Sequence, residues 1–156
     1  MMPMTEQLTA AATLTPGSDP RPDFKEWAMG IAEAVATRAD CSRAQVGAVI
    51  VTPDQRIVAT GYNGAPSGTP GCLTSGACPR ATVGKDYGSS YDTGPGACIS
   101  VHAEANAIIR ASWTDMEGST LTTTKKPCDG CWKLILATRL ARVEWPGGGH
   151  DLKERP

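Results

Sequence analysis

The order of the apolar segments is the feature that most constrains the fold of this chain. Residues 46–51 and 56–60 are two apolar runs joined by a turn at residues 52–55, which is the pattern of an antiparallel hairpin. Before this hairpin, residues 23–39 carry apolar side chains at helical spacing and begin with a pattern typical of a helix cap. The first half of the chain therefore predicts one helix followed by two strands.

Helices and strands alternate in the second half of the chain. Helices are predicted at residues 101–111 and 127–138, and strands at residues 120–124 and 141–145. A hairpin followed by this alternation predicts a three-layer α/β/α domain with a central mixed sheet of four strands. Glycines follow the fourth strand, and the pattern predicts no fifth strand there.

The composition along the chain predicts a leader, a folded domain and a tail. Residues 1–21 contain Pro, Gly, Ser and Thr without apolar periodicity, so we expect a flexible leader. Residues 22–146 form the predicted folded domain, and residues 147–156 form a short C-terminal tail.

A long segment without apolar periodicity separates the hairpin from the second half. Residues 61–100 hold 13 of the 29 glycines and prolines, and structureless loops beyond about 12 to 15 residues are uncommon in compact domains. Four of the six cysteines lie on or near this segment: Cys41, Cys72, Cys78 and Cys98. Because a hairpin brings Cys41 and Cys72 together, a closed four-thiolate zinc site that fastens the segment is one interpretation. Separate buried thiols and a disulfide are the alternatives.

Charge and hydropathy exclude several classes of partner. Lys and Arg number 15 against 16 Asp and Glu, so no overall positive field attracts long nucleic acids or an anionic membrane. No apolar run reaches the roughly 18 residues of a membrane span, and no signal peptide is recognisable. We therefore expect a cytoplasmic protein with a small-molecule partner. In that reducing compartment, cysteines indicate metal binding or catalysis before disulfides.

Two short segments at predicted helix starts contain the residues from which chemistry can be inferred. One is His102-Ala103-Glu104, and the other is a Pro-Cys-x-x-Cys sequence ending in Cys128 and Cys131. The helix dipole favours the thiolate form of both cysteines. Two thiolates and one imidazole leave the fourth position of Zn²⁺ to water, as in catalytic zinc sites. Glu104 is then the carboxylate that collects the proton of that water and passes it on.

These segments resemble the zinc-dependent cytidine/deoxycytidylate deaminase superfamily, whose signature is H-x-E followed by P-C-x-x-C. The sequences QVGAVIV at residues 45–51, GYNGAPSG at 61–68 and HAEANAI at 102–108 look most like its deoxycytidylate (dCMP) deaminase branch. The resemblance spans about residues 24–145 and implies a cytidine-deaminase-like fold. This fold is expected to be shortened at the C-terminus, because relatives continue past the fourth strand into a further strand and helix.

The resemblance implies hydrolytic deamination of dCMP to dUMP and ammonia. Zinc-activated water attacks C4 of the ring, while Glu104 protonates N3 and then carries a proton to the departing ammonia. The resemblance also implies that Asn63 hydrogen-bonds the sugar hydroxyl and that the backbone of Ala103 reads the pyrimidine edge. It further implies dCTP and dTTP as effectors and a homo-oligomer. Zinc is the implied cofactor, with one catalytic ion and a second, structural ion in the four-cysteine interpretation.

Candidates for binding the phosphate group of a nucleotide lie on the long segment. They are Arg80, Lys85, Tyr87 and Tyr91, since a guanidinium suits a planar two-oxygen contact and an ammonium acts as a point charge. A solvated loop rim is the alternative. Before Pro127, residues 121–126 are polar and basic where relatives carry an apolar strand, which predicts an altered substrate mouth.

Other functions remain open at this level. The His and Cys residues could form a structural zinc knot or a redox pair, and Asn63 could serve only a strand-ending turn. The substrate could be another cytosine nucleoside or nucleotide, and the chain could be a catalytically silent zinc- or nucleotide-binding regulator. An enzyme editing single-stranded nucleic acid would need a basic, aromatic groove, which the near-zero charge and eight aromatic residues do not favour.

Overall fold

The computed structural model describes residues 17–84 and 91–152 and has a mixed five-stranded sheet covered by helices. The helices and strands follow the chain in this order: α1 (Phe24–Ala36), β1 (Gly47–Val51), β2 (Ile57–Tyr62), the short α2 (Cys72–Ser75) and α3 (Pro79–Thr82), α4 (Ala103–Arg110), β3 (Thr120–Thr123), α5 (Asp129–Ala137), β4 (Arg142–Trp145) and β5 (Gly148–Asp151). None of the described helices has the length and apolar composition of a membrane span.

The sheet has the strand order β2-β1-β3-β4-β5. β1 pairs antiparallel with β2 and β3, β3 pairs parallel with β4, and β4 pairs antiparallel with β5. The hairpin, the alternation of helix and strand and the mixed sheet predicted from the sequence are confirmed. The N-terminal helix begins with a capping box, in which Asp23 and Glu26 each accept a hydrogen bond from the other's backbone N–H.

Successive residues of β1 face opposite sides of the sheet, because side chains alternate along a strand. Ala48 and Ile50 pack in one cluster with residues of α4 and α5. Val49 and Val51 pack in a second cluster against Ala28 and Ala32 of α1. All five residues of β1 are buried. The helices therefore cover both faces of the sheet, which confirms the predicted three-layer architecture.

The expectation of four strands was wrong, because residues 148–151 form β5. Gly147 has a φ of +77° and completes the tight turn after β4. A Cβ on Gly148 would lie 2.5 Å from Nε1 of Trp145, so the indole occupies the space that a side chain would need. The sequence pattern missed β5 because a strand of glycines has no apolar alternation. The ring of His150 in β5 lies edge to face with that of Trp132, with 5.7 Å between the ring centroids.

Asp40 fastens the long segment to the hairpin. Its carboxylate accepts hydrogen bonds from the Gly71 amide (3.0 Å), the Thr74 amide (2.9 Å) and the Thr74 hydroxyl (2.6 Å). Its backbone carbonyl accepts from the Cys72 amide. The Thr74 hydroxyl first, and the backbone amides after it, hold the pKa of Asp40 below its usual value, because they stabilise the carboxylate.

A second attachment lies at the end of this segment. Gly64 and Val101 exchange two backbone hydrogen bonds, at 3.2 Å and 2.8 Å, directly before α4. The segment is therefore connected to the sheet at both ends, and α2 and α3 lie between the attachments. The sequence predicted that this segment must be held, but it did not predict the part that Asp40 has in holding it.

Glycine at position 61 sets how closely α4 can approach the sheet. A Cβ there would lie 2.2 Å from the carbonyl oxygen of Ala103 and 2.4 Å from the amide nitrogen of Ala107. Asn106 strengthens the same contact, since its Nδ2 donates to the carbonyl of Tyr62 at 2.8 Å. No residue other than glycine fits at position 61 without moving α4.

We expect Gly61→Ala to destabilise the fold by about 1 to 3 kcal/mol, because the added methyl group must displace backbone atoms of α4. Gly30→Ala is the matched control: a Cβ there meets nothing within 4 Å, and an alanine in the interior of a helix is favoured by about 1 kcal/mol over glycine. Urea unfolding measures both variants. Equal stability of Gly61→Ala and the parent protein would contradict the close approach of α4.

Candidate metal centre and active site

The starts of α4 and α5 meet at one place and bring the two sequence motifs together. His102 is the N-cap residue of α4 and Cys128 is the N-cap residue of α5. Each has extended backbone dihedrals, and its carbonyl accepts the first helical hydrogen bond at 2.9 Å, from Asn106 and Trp132 respectively. Cys131 lies in the first turn of α5. A helix cap therefore sets the position of each motif.

The three predicted ligands are close enough to hold one metal ion. Nδ1 of His102 lies 3.3 Å from Sγ of Cys128 and 3.5 Å from Sγ of Cys131. All three ligand atoms lie within 4.8 Å of one another. In a tetrahedral zinc site, Zn–N and Zn–S bonds of about 2.1 and 2.3 Å separate N from S by about 3.6 Å. The donor set and its spacing therefore fit zinc.

Glu104 lies beside these ligands inside the protein. The residue is 4% exposed, and its Oε2 accepts a hydrogen bond from Sγ of Cys131 at 3.5 Å. Burial first, and then the negative charges of Glu104 and Cys128, raise the pKa of the Cys131 thiol well above its usual range. Several acidic groups gathered in one buried place favour a bound cation, whose charge offsets theirs.

The predicted active-site residues other than Cys131 line one cavity of about 110 Å³. Glu104, His102 and Cys128 are in its wall together with Asn63 and Ala103. Ala103 is completely buried. On another side, His102 and both metal-ligating cysteines border an open depression of about 940 Å³ that includes Asp129 and Lys133. His102 and Cys128 thus border both the smaller cavity, called the inner cavity below, and the larger one, called the outer depression.

Asn63 has a structural role at the wall of the inner cavity. Its Oδ1 accepts from the amide of Val46 at 2.8 Å, and its Nδ2 donates to the carbonyl of Ala44 at 2.8 Å. The residue is 7% exposed. These contacts agree with the interpretation of Asn63 as a residue that serves the turn after a strand. Because Asn63 also lines the cavity, its contact with a sugar hydroxyl stays a prediction.

Arg80 and Tyr91 contact each other and approach the metal ligands. Arg80 is 2% exposed, so the solvated-rim alternative is wrong for this residue. Its guanidinium carbon lies 4.3 Å from the ring centroid of Tyr91, whose ring meets that of His102 at 5.0 Å and 83°. Lys85 and Tyr87, the other predicted phosphate ligands, lie outside the described residues.

The four remaining cysteines border the inner cavity as free thiols: Cys41, Cys72, Cys78 and Cys98. Burial first, and then the neighbouring thiols, raise the pKa of Cys72 to about 11. The pKa of Cys78 is lowered: burial acts to raise it, but hydrogen bonds from the Ala81 and Arg80 amides outweigh that effect. Within the described ranges, only His102, Cys128 and Cys131 bring three ligand atoms within 4.8 Å of one another. The four sulfurs therefore face one cavity without reaching that spacing.

Three basic side chains besides Arg80 line the inner cavity. Lys125 and Lys126, from the basic segment before Pro127, line it together with Arg43. Among the described lining residues, Glu104 is the one carboxylate facing these cations. The sequence indicated the two lysines, but it gave no reason to select Arg43, which lies in an irregular connection whose direction the pattern does not define.

Residues 22–145 match the family model described as the cytidine and deoxycytidylate deaminase zinc-binding region. The chain is 48% identical over 127 residues to the deoxycytidylate deaminase of Mycobacterium phage D29, covering 81% of this chain and 96% of that protein. It is 35% identical over 126 residues to the deoxycytidylate deaminase of Homo sapiens, covering 79% of this chain and 66% of that protein.

A solved structure is also similar to this chain. The dCMP deaminase of cyanophage S-TIM5, crystallised with dCMP and dUMP, has a TM-score of 0.56 and 27% sequence identity. The alignment covers 81% of this chain and 83% of the cyanophage chain.

We expect Asn63→Ala to destabilise the fold by about 1 to 3 kcal/mol, since it removes two hydrogen bonds worth about 0.5 to 1.5 kcal/mol each. The amide of Val46 and the carbonyl of Ala44 lose their side-chain partner. Urea unfolding without nucleotide isolates this effect from any loss of substrate binding. An unchanged unfolding midpoint would show that the two hydrogen bonds contribute nothing to stability.

Proposed function

This chain belongs to the cytidine and deoxycytidylate deaminase family, and from that premise we propose that it converts dCMP and water to dUMP and ammonia. The observation that carries the proposal is one cavity bordered by Glu104, by two of the three metal ligands and by Asn63. A structural zinc knot would have no need of a buried carboxylate beside an open coordination position.

Each residue has a distinct task in the proposed reaction. His102, Cys128 and Cys131 would hold zinc, which when bound would supply the Lewis acidity that lowers the pKa of water towards neutrality. Glu104 takes a proton from the attacking water, gives a proton to N3 of the ring, and then delivers a proton to the amino group that leaves C4. The C4–N bond breaks and a C4–O bond forms, so water and dCMP balance dUMP and ammonia.

Contacts to the nucleotide come from the cavity wall. The amide of Asn63 faces the sugar hydroxyl, and the buried backbone of Ala103 reads the edge of the pyrimidine ring. The positive charges of Arg43, Lys125 and Lys126 favour an anionic substrate, which supports a nucleotide over a nucleoside. Arg80 and Tyr91 contribute to the same wall.

The expected result of a substrate assay is ammonia release from dCMP and far less from CMP, dCTP, deoxycytidine and cytidine. Glu104→Ala should lower the rate by at least about a hundredfold, since general acid–base catalysis contributes about 10² to 10⁴ in rate. Glu33→Ala, at an exposed position of α1, is the matched control. Each assay runs with and without dCTP and dTTP, because we propose these nucleotides as effectors.

The outcomes of this assay separate the candidate functions. Turnover of a different cytosine compound would keep the chemistry and change the substrate. Tight nucleotide binding by zinc-loaded protein without ammonia release would contradict an enzyme and favour a silent regulator.

We also propose a second, structural zinc held by the four cysteines of the inner cavity: Cys41, Cys72, Cys78 and Cys98. Four thiols that border one cavity supply the donor set of a closed zinc site. Such an ion would contribute folding energy directly. It would also join Cys41, before β1, to the segment that follows β2.

Zinc analysis tests the second ion. We expect about two zinc ions per chain in the parent protein and about one in either His102→Ala or Cys78→Ser, because each variant lacks a ligand of one site. Inductively coupled plasma mass spectrometry of dialysed protein gives the ratio. A ratio of one in the parent and in Cys78→Ser, with none in His102→Ala, would exclude the second site.

The assembly and location of the protein are parts of the same proposal. β2 and β5 are the two edges of the described sheet, and exposed edges favour pairing with another copy unless they are protected. We propose a homo-oligomer in the cytoplasm. The deaminase domain extends past the predicted boundary at residue 146, because β5 pairs with β4 and Leu152 lies in the core. Of the leader predicted at residues 1–21, residues 1–16 lie outside the described residues. Sedimentation equilibrium measures the assembly.

A further inference from the structure

The segment between β2 and α4 reaches the metal ligands through a stack of three side chains. The guanidinium of Arg80 lies over the ring of Tyr91 at 4.3 Å. The ring of Tyr91 in turn meets the imidazole of His102 edge to face, at 5.0 Å and 83°. Arg80 is almost completely buried, so this contact forms inside the protein.

The stack restricts His102, which is the single metal ligand on its helix. The two cysteine ligands share the first turn of α5, whereas His102 must direct Nδ1 at both sulfurs from the start of α4. An edge-to-face contact limits rotation of the imidazole ring. The guanidinium of Arg80 lies over the ring of Tyr91 and restricts the movement of that ring in turn. Groups that hydrogen-bond the other ring nitrogen of a metal-ligating histidine raise metal affinity by orienting the ring, and a ring contact that limits the rotation of His102 would act in the same direction.

Backbone groups of two of the four remaining cysteines form hydrogen bonds in the segments that carry the stack. Cys78 is the N-cap of α3, which carries Arg80, and its carbonyl accepts from the Thr82 amide at 3.0 Å. The amide of Cys98 donates to the carbonyl of Tyr91 at 2.8 Å. The four-cysteine wall and the histidine ligand are thus connected through Arg80 and Tyr91.

Gly96 allows the two parts of the stack to approach each other. It has a φ of +74°, and a Cβ there would lie 2.1 Å from Cγ2 of Val83 and 2.8 Å from the carbonyl oxygen of Pro79. Those atoms belong to the segment that carries Arg80, and Gly96 belongs to the segment that carries Tyr91. Any larger residue would push the two segments apart.

We infer that Arg80 and Tyr91 are positioning residues that orient His102 for zinc, and that the cysteine-bearing segment acts on the catalytic centre through them. The inference rests on the proposed zinc site and assigns to Arg80 and Tyr91 a role that is separate from phosphate binding. It predicts that zinc affinity depends on residues that do not touch the ion.

The test measures zinc binding and not only turnover. Chelator competition on Tyr91→Leu should show zinc bound at least about tenfold more weakly at the catalytic site, as for other groups that orient a metal ligand. Tyr91→Phe keeps the ring and should restore the parent affinity to within about twofold, since the contact is made by the ring. His102→Ala serves as the reference for any zinc held elsewhere.

Cobalt substitution gives a spectroscopic measurement of the same effect. The visible absorption of Co²⁺ at the catalytic site should change in Tyr91→Leu and Gly96→Ala and stay unchanged in Tyr91→Phe. Circular dichroism of the metal-free proteins checks that the variants fold, and Gly96→Ala tests the stack without removing any of its members.

A second arginine–tyrosine pair provides the matched control. Arg110 lies 5.6 Å from the ring of Tyr62, and its Nη1 donates to the carbonyl of Thr60. Tyr62→Leu and Arg110→Lys should leave zinc affinity and the cobalt spectrum unchanged, because neither side chain borders the inner cavity or the outer depression.

The possible results separate this inference from the proposed function. Parent zinc affinity and an unaltered cobalt spectrum in folded Tyr91→Leu would overturn the inference, even in an active deaminase. Weaker zinc binding in Tyr91→Leu but not in Tyr62→Leu would support it, even in a protein that releases no ammonia from dCMP. Equal weakening in both would show a general loss of stability and would also overturn it.

Discussion

The close packing of α4 on β2 is the constraint on which the rest of the site depends. The absence of a side chain at Gly61 lets the backbone of Ala103 approach the sheet, and the Asn106 amide bonds the end of β2. This contact sets where α4 begins, and His102 is its N-cap. Because α5 packs on the same face, Cys128 arrives from an independent segment at the distance that zinc requires.

The electrostatics of the site follow from this packing. A carboxylate and two thiols gathered away from water would repel one another if all were ionised, and the raised pKa of Cys131 is the consequence. A bound cation removes that penalty and leaves Glu104 able to carry protons. Beyond Glu104, the cavity wall becomes basic at Arg43, Lys125 and Lys126. The groups that could hold a metal ion and the basic groups that attract an anion therefore line the same cavity.

The long segment between β2 and α4 is a structural part of the site. Asp40 and the Gly64–Val101 contact attach its ends, and Arg80 and Tyr91 bring its centre against His102. In this arrangement, the four remaining thiols border the same cavity as His102, Glu104 and Cys128. The same segment thus serves stability at Gly71 and Thr74, which bind Asp40, and metal orientation at Tyr91.

The sequence by itself determined the architecture and the chemistry of the ligands. Two apolar runs joined by a turn predicted β1 and β2, and helical spacing predicted the positions of α1, α4 and α5. Residue type and spacing predicted His102, Glu104, Cys128 and Cys131 as one site. These features are local, since each depends on side chains a few residues apart. The family resemblance then supplied the reaction, which no local pattern contains.

Only the tertiary structure decided the features that depend on distant partners. β5 exists because glycines fit beneath Trp145 and pair with β4, a fit that a glycine-rich sequence does not display. Asp40 finds its partners more than 30 residues away, at Gly71 and Thr74. Arg80 is buried against Tyr91 although its type and loop position predict exposure. In each case the conformation is stabilised by contacts between segments that are distant in the sequence. A local sequence pattern does not show which distant segments come into contact.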